Sequence, residues 1–343
     1  MKVTYWATSC LEPRIEAISK EIFDLAAKFS DGLIFSVSPH LSVKLSGRRC
    51  MGFHPSFDPL LRLIIPLIEH RTDINHIYSE VSPWIYFKTL GKKPIVLTIA
   101  SEKGDLIPEF IDRCDVIVIQ TEGMRERLKD CDVDSRKVRL IYPGINLSAF
   151  SRKQRPINFT RPKVLFATYP RTAEELEARG VFFLIEVANQ YPEIEFHMVS
   201  RPWRSKGTGL SVVKEILDRK QLANVFVIEG IQKAMAELYN QYDFTVIPYL
   251  TIDGGKECPR SLIESLACGV PILISDVAPF SSFVAEYDCG CIFSLNPSNF
   301  AFALEAGLKK YKQISDKALQ CAHFYFDLEK TYRQYDRIYS RLV

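Results

Sequence analysis

The sequence predicts an α/β protein of two doubly wound domains, on three observations. Short β-branched or aromatic runs alternate with longer helical segments along the chain. The alternation is interrupted once, by the basic, proline-containing stretch 151–162 (SRKQRPINFTRP), and then restarts. The length of 343 residues suits two cores of roughly 150 residues each better than one.

In the first half, strands are predicted at 2–7 (KVTYWA), 32–37 (GLIFSV), 74–79 (INHIYS), 94–99 (PIVLTI), 115–120 (DVIVIQ) and 137–142 (KVRLIY). In the second half they are predicted at 163–168 (KVLFAT), 194–200 (IEFHMVS), 224–229 (NVFVIE), 243–248 (DFTVIP), 271–275 (PILIS) and 290–293 (GCIF). The tail from Lys309 to Val343 reads as helix, with Tyr325, Leu328, Tyr332, Tyr335 and Ile338 recurring every three or four residues. In parallel sheets ligands bind beyond the carboxyl ends of the strands, so the site is expected in the loops that follow them.

Hydrophobic residues make up 47% of the chain and charged residues 25%, as in an ordinary globular protein. The net charge of +3, from 44 basic and 41 acidic residues, lacks the one-sided balance of a dedicated nucleic-acid binder. The nine cysteines are odd in number and have no paired CxxC spacing, which fits a reduced chain with buried thiols better than a disulfide framework or a zinc site. The start, MKVTYWATSCLEPR, has neither the basic opening nor the apolar run of a signal peptide. The richest apolar stretch, Leu60 to Ile68, is too short to span a bilayer and carries Arg62. A cytoplasmic protein is expected, with peripheral contact at a membrane as an option.

The stretch 253–276, DGGKECPRSLIESLACGVPILISD, carries the most chemistry. Gly254 and Gly255 make a flexible loop after a strand, and Pro259 suits the first turn of a helix that runs to about Cys268. Gly269 ends that helix as a left-handed cap, and Pro271 starts the next strand. A strand, a glycine loop and a helix N-terminus together make an anion site, because free backbone N–H groups and the helix dipole converge there. A diphosphate is the natural ligand. Glu264 stands one turn into the helix, where a carboxylate accepts hydrogen bonds from vicinal hydroxyls such as those of a ribose.

The run PRSLIESLACGVPILISD resembles the signature of family 4 glycosyltransferases, whose fold is called GT-B. KVRLIYPGINLSAF (137–150) resembles the segment that joins the family's two domains, and VFVIEGIQKAMAELYNQYDFTVIPY (225–249) its strand–Gly–helix–strand unit. The resemblance covers roughly residues 114 to 340. It implies two Rossmann-like domains facing a central cleft, spanning 1–155 and 156–325, with a C-terminal helix, 326–343, crossing back to the first. It also implies a retaining transfer of a sugar from a nucleoside-diphosphate sugar to a hydroxyl acceptor, with neither cofactor nor metal. The acceptor is a glycan, a lipid-linked molecule or a small molecule, and no nucleic-acid partner is implied.

By the same resemblance Glu264 binds the nucleotide ribose, and Arg260, Ser261 and Leu262 lie where backbone amides meet the diphosphate, beside Gly255 and Lys256. The cations that neutralise the leaving group are Arg171 and Arg179 in FATYPRTAEELEARG, where the family often has an Arg and a Lys. Eight positions before Glu264 the family has a second glutamate. Here that position is Lys256, with Glu257 one residue on, so either the glutamate is lost or Glu257 takes its catalytic place.

Two further departures fall in the first domain. The loop after its first strand reads CLEPRIEAIS, including Arg14, where the family commonly has adjacent glycines; and after PIVLTI the chain has Ala100-Ser101-Glu102 in place of a histidine. The loop KLSGRRCMGFHPSF, with Lys44, Arg48, Arg49 and His54, is expected to overhang the acceptor side and suits a phosphate-bearing or membrane-surface acceptor. His76 reads as a satisfied core histidine. The departures motivate an alternative, a degenerate protein that binds nucleotide sugar or a partner subunit without turnover; a nucleotide-sugar epimerase on the same double fold is a further one.

Overall fold

The computed structural model describes the chain except residues 15, 30–31, 40, 42–43, 47–48, 80–83, 102–105, 154–155, 158, 168–171, 201–208, 252–255 and 257. Contacts divide it into two compact units. The first holds Met1–Gly144, Lys256–Cys258 and Glu329–Val343, and the second Ile145–Gly255 and Pro259–Leu328.

In the first unit the strands are β1 (Val3–Ala7), β2 (Leu33–Val37), β3 (Lys44–Ser46), β4 (Cys50–Phe53), β5 (Ile74–Ser79), β6 (Ile95–Ile99), β7 (Val116–Ile119) and β8 (Val138–Leu140). They form one sheet in the order β3-β4-β2-β1-β5-β6-β7-β8, parallel except for β3 against β4. The six strands read from the sequence are all present. Their runs are apolar without alternation because helices cover both faces of a parallel sheet. Trp6, Phe35, Ile77, Leu97 and Ile117 are fully buried in its core.

The loop reading of 44–57 is corrected. Lys44–Ser46 and Cys50–Phe53 form a hairpin, and β4 continues the sheet beside β2 with Phe35 opposite Met51. At three and four residues these strands are too short to show a period; β4 gains its pairing from the edge of β2, and β3 from β4.

The last helix, Leu328–Leu342, lays Tyr332, Tyr335, Ile338 and Tyr339 inward, and Glu329 onward belongs to the first unit. His76, fully buried, bonds the Tyr339 hydroxyl through Nδ1 (2.6 Å) and the Thr98 hydroxyl through Nε2 (2.8 Å), and Tyr335 also reaches Thr98 (3.0 Å). It is the satisfied core histidine expected. The tail is two helices rather than one: the first, Tyr311–Tyr325, ends where the Phe326 carbonyl accepts from the Ile145 amide and the Leu328 amide donates to the Ile145 carbonyl. Those backbone groups are thus taken by a bridge, not by a helical ladder.

The second unit contains β9 (Lys163–Phe166), β10 (Glu195–Ser200), β11 (Val225–Glu229), β12 (Phe244–Ile247), β13 (Ile272–Ser275) and β14 (Gly290–Phe293), a parallel sheet in the order β11-β10-β9-β12-β13-β14. All six strands were legible. The order reverses at β9, which is flanked by β10 and β12, and such a switch point is where parallel sheets take ligands. Phe166, Phe196, Val246, Leu273 and Phe300 fill the core.

Candidate functional site

In the second unit, the segment after β12 lies between two supports. The Leu250 amide donates to the Ala178 carbonyl (2.9 Å) on one side, and the Ser275 hydroxyl donates to the Tyr249 carbonyl (2.7 Å) on the other. Arg179 follows the short helix Ala173–Ala178 and precedes Gly180, whose φ of +72° turns the chain into the helix Val181–Gln190. A Cβ on Gly180 would stand 1.8 Å from the Pro248 carbonyl oxygen, so only glycine lets the Arg179 turn approach the carboxyl end of β12 this closely.

The helix Arg260–Ala267 follows the same segment, with Pro259 just ahead of its first turn as N-cap and Gly269 in the left-handed conformation (φ +67°) past its end. It is anchored on β12 by the Ser265 hydroxyl, which bonds Thr245 (2.7 Å) and the Val270 carbonyl (2.9 Å). Leu262, Ile263 and Leu266 are fully buried beneath it.

Glu264 is buried on this helix rather than facing solvent, and both its oxygens are engaged. Arg260 Nε donates to Oε1 at 2.8 Å, and the Tyr239 hydroxyl donates to Oε2 at 3.2 Å. Each carboxylate oxygen accepts two hydrogen bonds, so capacity for a further donor remains on both. Burial, with the Glu264 charge nearby, pushes the Cys268 thiol up to about 12, which leaves it an uncharged packing group. The amides of Arg260 and Ser261 head the helix, and among the described residues the buried Ser261 hydroxyl has no hydrogen-bond partner. The Leu262 amide is already donated to the Pro259 carbonyl (3.0 Å).

Lys256 requires a correction. It belongs to the first unit, where its ammonium donates to Glu21 Oε1 (2.8 Å), Gln120 Oε1 (3.0 Å) and the Cys258 carbonyl (3.0 Å). Three acceptors use its three N–H donors, so none is left for a phosphate. Glu21 is itself held by the Tyr78 hydroxyl (2.6 Å), and the Lys256 backbone forms an antiparallel bridge with Ser101. Lys256 therefore acts as a buried tether in this unit, and Ser101 is its backbone partner.

The remaining first-unit candidates are dispersed. Arg14 and Arg49 are exposed. His54 caps the turn Pro55–Phe57, its Nδ1 accepting from the Ser56 amide (3.1 Å), which is a local structural role. In the loop after β1, where glycines were missing, Leu11 adopts φ +57°, and Glu16 Oε2 accepts from both the amide (3.1 Å) and the thiol (3.2 Å) of Cys10. A left-handed leucine with a carboxylate brace thus stands where glycine would be strain-free. Arg171, Gly255, Glu257 and Arg48 lie outside the described residues. Sequence reasoning missed Tyr239, Glu21, Gln120 and Glu16. Among the described residues no group of His, Cys, Asp or Glu is placed to hold a metal ion.

Two parallel-sheet, Rossmann-like α/β units of this kind are the fold of GT-B glycosyltransferases. Residues 151–320, just under half of the chain, match the family described as glycosyl transferases group 1, and that span includes Arg179, Tyr239, Arg260 and Glu264. HepE of Anabaena in complex with UDP-glucose is similar over 100% of both chains, with 13% identity and a TM-score of 0.78. Sucrose-phosphate synthase of Thermosynechococcus elongatus is similar over 100% of this chain and 99% of its own, with 16% identity and a TM-score of 0.75. A glycosyltransferase of Rickettsia africae is similar over 99% and 98%, with 14% identity and a TM-score of 0.75. No curated protein is significantly similar in sequence. The family match and the shared fold support a glycosyltransferase.

Proposed function

We propose that the protein transfers a sugar, most simply a hexose, from a nucleoside-diphosphate sugar to a hydroxyl acceptor, and that the second unit binds the donor. The observation that carries this reading is the buried Glu264, held by Arg260 and Tyr239 one turn inside the helix that follows β12. In this reading the carboxylate accepts from the two vicinal hydroxyls of a ribose, and the diphosphate is assigned to the helix N-terminus at Arg260 and Ser261.

As the glycosidic bond breaks, negative charge grows on the departing diphosphate. The helix N-terminus, Arg179 and Arg171 are assigned to stabilise that charge more strongly than they bind the intact donor. With these cations available the reading assigns no metal and no cofactor. Retention of configuration belongs to the same reading through the family resemblance. Because the Lys256 ammonium is committed within the first unit, we assign the second carboxylate of the site to Glu257. The acceptor side is assigned to the first unit, whose Arg14 and Arg49 are exposed, and the protein to the cytoplasm.

HepE binds UDP-glucose, so UDP-hexoses are the first donors to test. The assay is release of nucleoside diphosphate from a panel of nucleotide sugars with glycan, lipid-linked and small hydroxyl acceptors. Acceptor-dependent release supports the reading. Donor binding without release across the panel supports the degenerate alternative, and donor interconversion without an acceptor supports an epimerase.

A further inference from the structure

The nine cysteines are all free thiols, and every one except Cys131 is buried. Two of them meet in the second unit. Cys289 stands just before β14, and Cys321 lies in the last turns of the helix Tyr311–Tyr325; they are 0% and 4% exposed. The Cys289 thiol donates a hydrogen bond to the Cys321 sulfur. That contact is the main reason why the pKa of Cys289 is raised and that of Cys321 lowered, and Lys317, one turn back on the same helix, adds to the fall. Cys321 is thus the more readily ionised of the two, and Cys289 keeps its proton.

Other buried cysteines are engaged differently. Cys291 packs its sulfur against Gly307, 3.0 Å from where a Cβ there would stand. The thiols of Cys114 and Cys268 turn to the Phe110 and Ala236 carbonyls, at 3.5 and 3.8 Å. The 289–321 pair also has a route to solvent beside it. An open groove of about 480 Å³ is lined by Asp288, Gly290 and Cys291 among others, so it reaches the chain on both sides of Cys289. A molecule little larger than water needs only a local opening there to meet the sulfurs.

We propose that Cys289 and Cys321 are a peroxide-sensitive dithiol whose oxidation closes a disulfide and locks the helix Tyr311–Tyr325 to the start of β14. The Cys321 sulfur, on losing its proton, attacks one oxygen of the peroxide; the O–O bond breaks, and the departing hydroxide takes up that proton as water. The Cys289 sulfur then attacks the Cys321 sulfenic sulfur. The S–S bond forms as the S–O bond breaks, and the hydroxyl leaves with the Cys289 proton as a second water. The two thiols lose two electrons, and one hydrogen peroxide is reduced to two waters. The helix so locked is the one whose Ser315 hydroxyl donates to the Gly269 carbonyl (2.5 Å), at the end of the helix Arg260–Ala267. The dithiol is independent of the transfer chemistry, so either reading can fail without the other.

The test is mild treatment of the full chain with hydrogen peroxide, then alkylation of the remaining thiols and peptide mapping by mass spectrometry. Cys131, the cysteine that is not buried, is the internal control for dose. Peptides joined through Cys289 and Cys321 are expected, and dithiothreitol should part them again. The disulfide closes a loop of about thirty residues, so the oxidised protein should melt higher by about 5 °C or more. Cys289→Ser should stop at a Cys321 sulfenic acid that dimedone traps, whereas Cys321→Ser should leave Cys289 a thiol. Oxidation of Cys131 while Cys289 and Cys321 both remain open to alkylation overturns the proposal, as does pairing of either with a different cysteine. A 289–321 disulfide that leaves Tm unchanged or lower contradicts the lock. Should a serine variant fail to fold, the mapping of the wild type still decides.

Discussion

Arg260 and Glu264 stand one turn apart on a single helix with the guanidinium Nε 2.8 Å from Oε1, and the Tyr239 hydroxyl holds the other carboxylate oxygen. The two contacts fix the rotamer of a buried carboxylate before any ligand arrives, which lowers the ordering cost of binding. Replacing Glu264 with Gln keeps the shape and removes the charge. Donor affinity should fall about tenfold or more, in line with hydrogen bonds to charged groups, while the fold persists. Calorimetric titration of the donor checks this, and an unchanged Kd removes Glu264 from the site.

Arg179 is positioned by a turn that only Gly180 allows against the Pro248 carbonyl. Because its assigned role is to meet charge that develops during bond breaking, Arg179→Ala should lower kcat more than it raises the KM for donor, by about 10²-fold or more. Lys at this position should restore part of the rate, since it keeps the charge and loses the fork. Normal turnover in Arg179→Ala passes the role to Arg171.

The Lys256–Glu21 pair predicts a stability effect in place of a ligand effect. Both side chains are largely buried, so Lys256→Met alone strands the Glu21 carboxylate and should destabilise the protein by about 3 kcal/mol. Adding Glu21→Gln should recover much of that loss, because the buried charge goes with its partner. Urea denaturation of the two single variants and the double variant measures the coupling; strictly additive losses contradict the tether.

His76 gives a pH dependence with a defined sign. Burial lowers its pKa from 6.5 to about 3, so the folded chain holds it neutral where the unfolded chain protonates it. The unfolded state therefore binds more protons between these values, and the stability present above 6.5 is lost as pH falls toward about 3. In that window the wild type should lose up to about 1.4 kcal/mol per pH unit more than His76→Gln. Parallel slopes for the two proteins sink the assignment.

The strands and the main site helix were legible because their signals are local. ILIS is bounded by Pro271, and RSLIESLA lies between Pro259 and Gly269. The hairpin at 44–53 was not, since strands of three and four residues carry no readable period, and its place in the sheet depends on β4 pairing with β2. The place of Lys256 was hidden for a different reason. Its partner Glu21 is 235 residues away in sequence, and no spacing rule connects them. Tyr239 was missed likewise, because the direction of its hydroxyl follows from how the helices Met235–Tyr239 and Arg260–Ala267 pack. Glu264 was found through its motif, but its burial and its two partners came only from the fold.

The central claim, that the second unit binds a nucleoside diphosphate through Glu264, is tested most directly by thermal unfolding with UDP, GDP, ADP and their sugars, for the wild type and Glu264→Gln side by side. A matching nucleotide at about 100 times its Kd should add roughly 2.7 kcal/mol of apparent stability to the wild type. At the same concentration the variant should gain markedly less. A wild type indifferent to every nucleotide, or a variant stabilised as much as the wild type, contradicts the account.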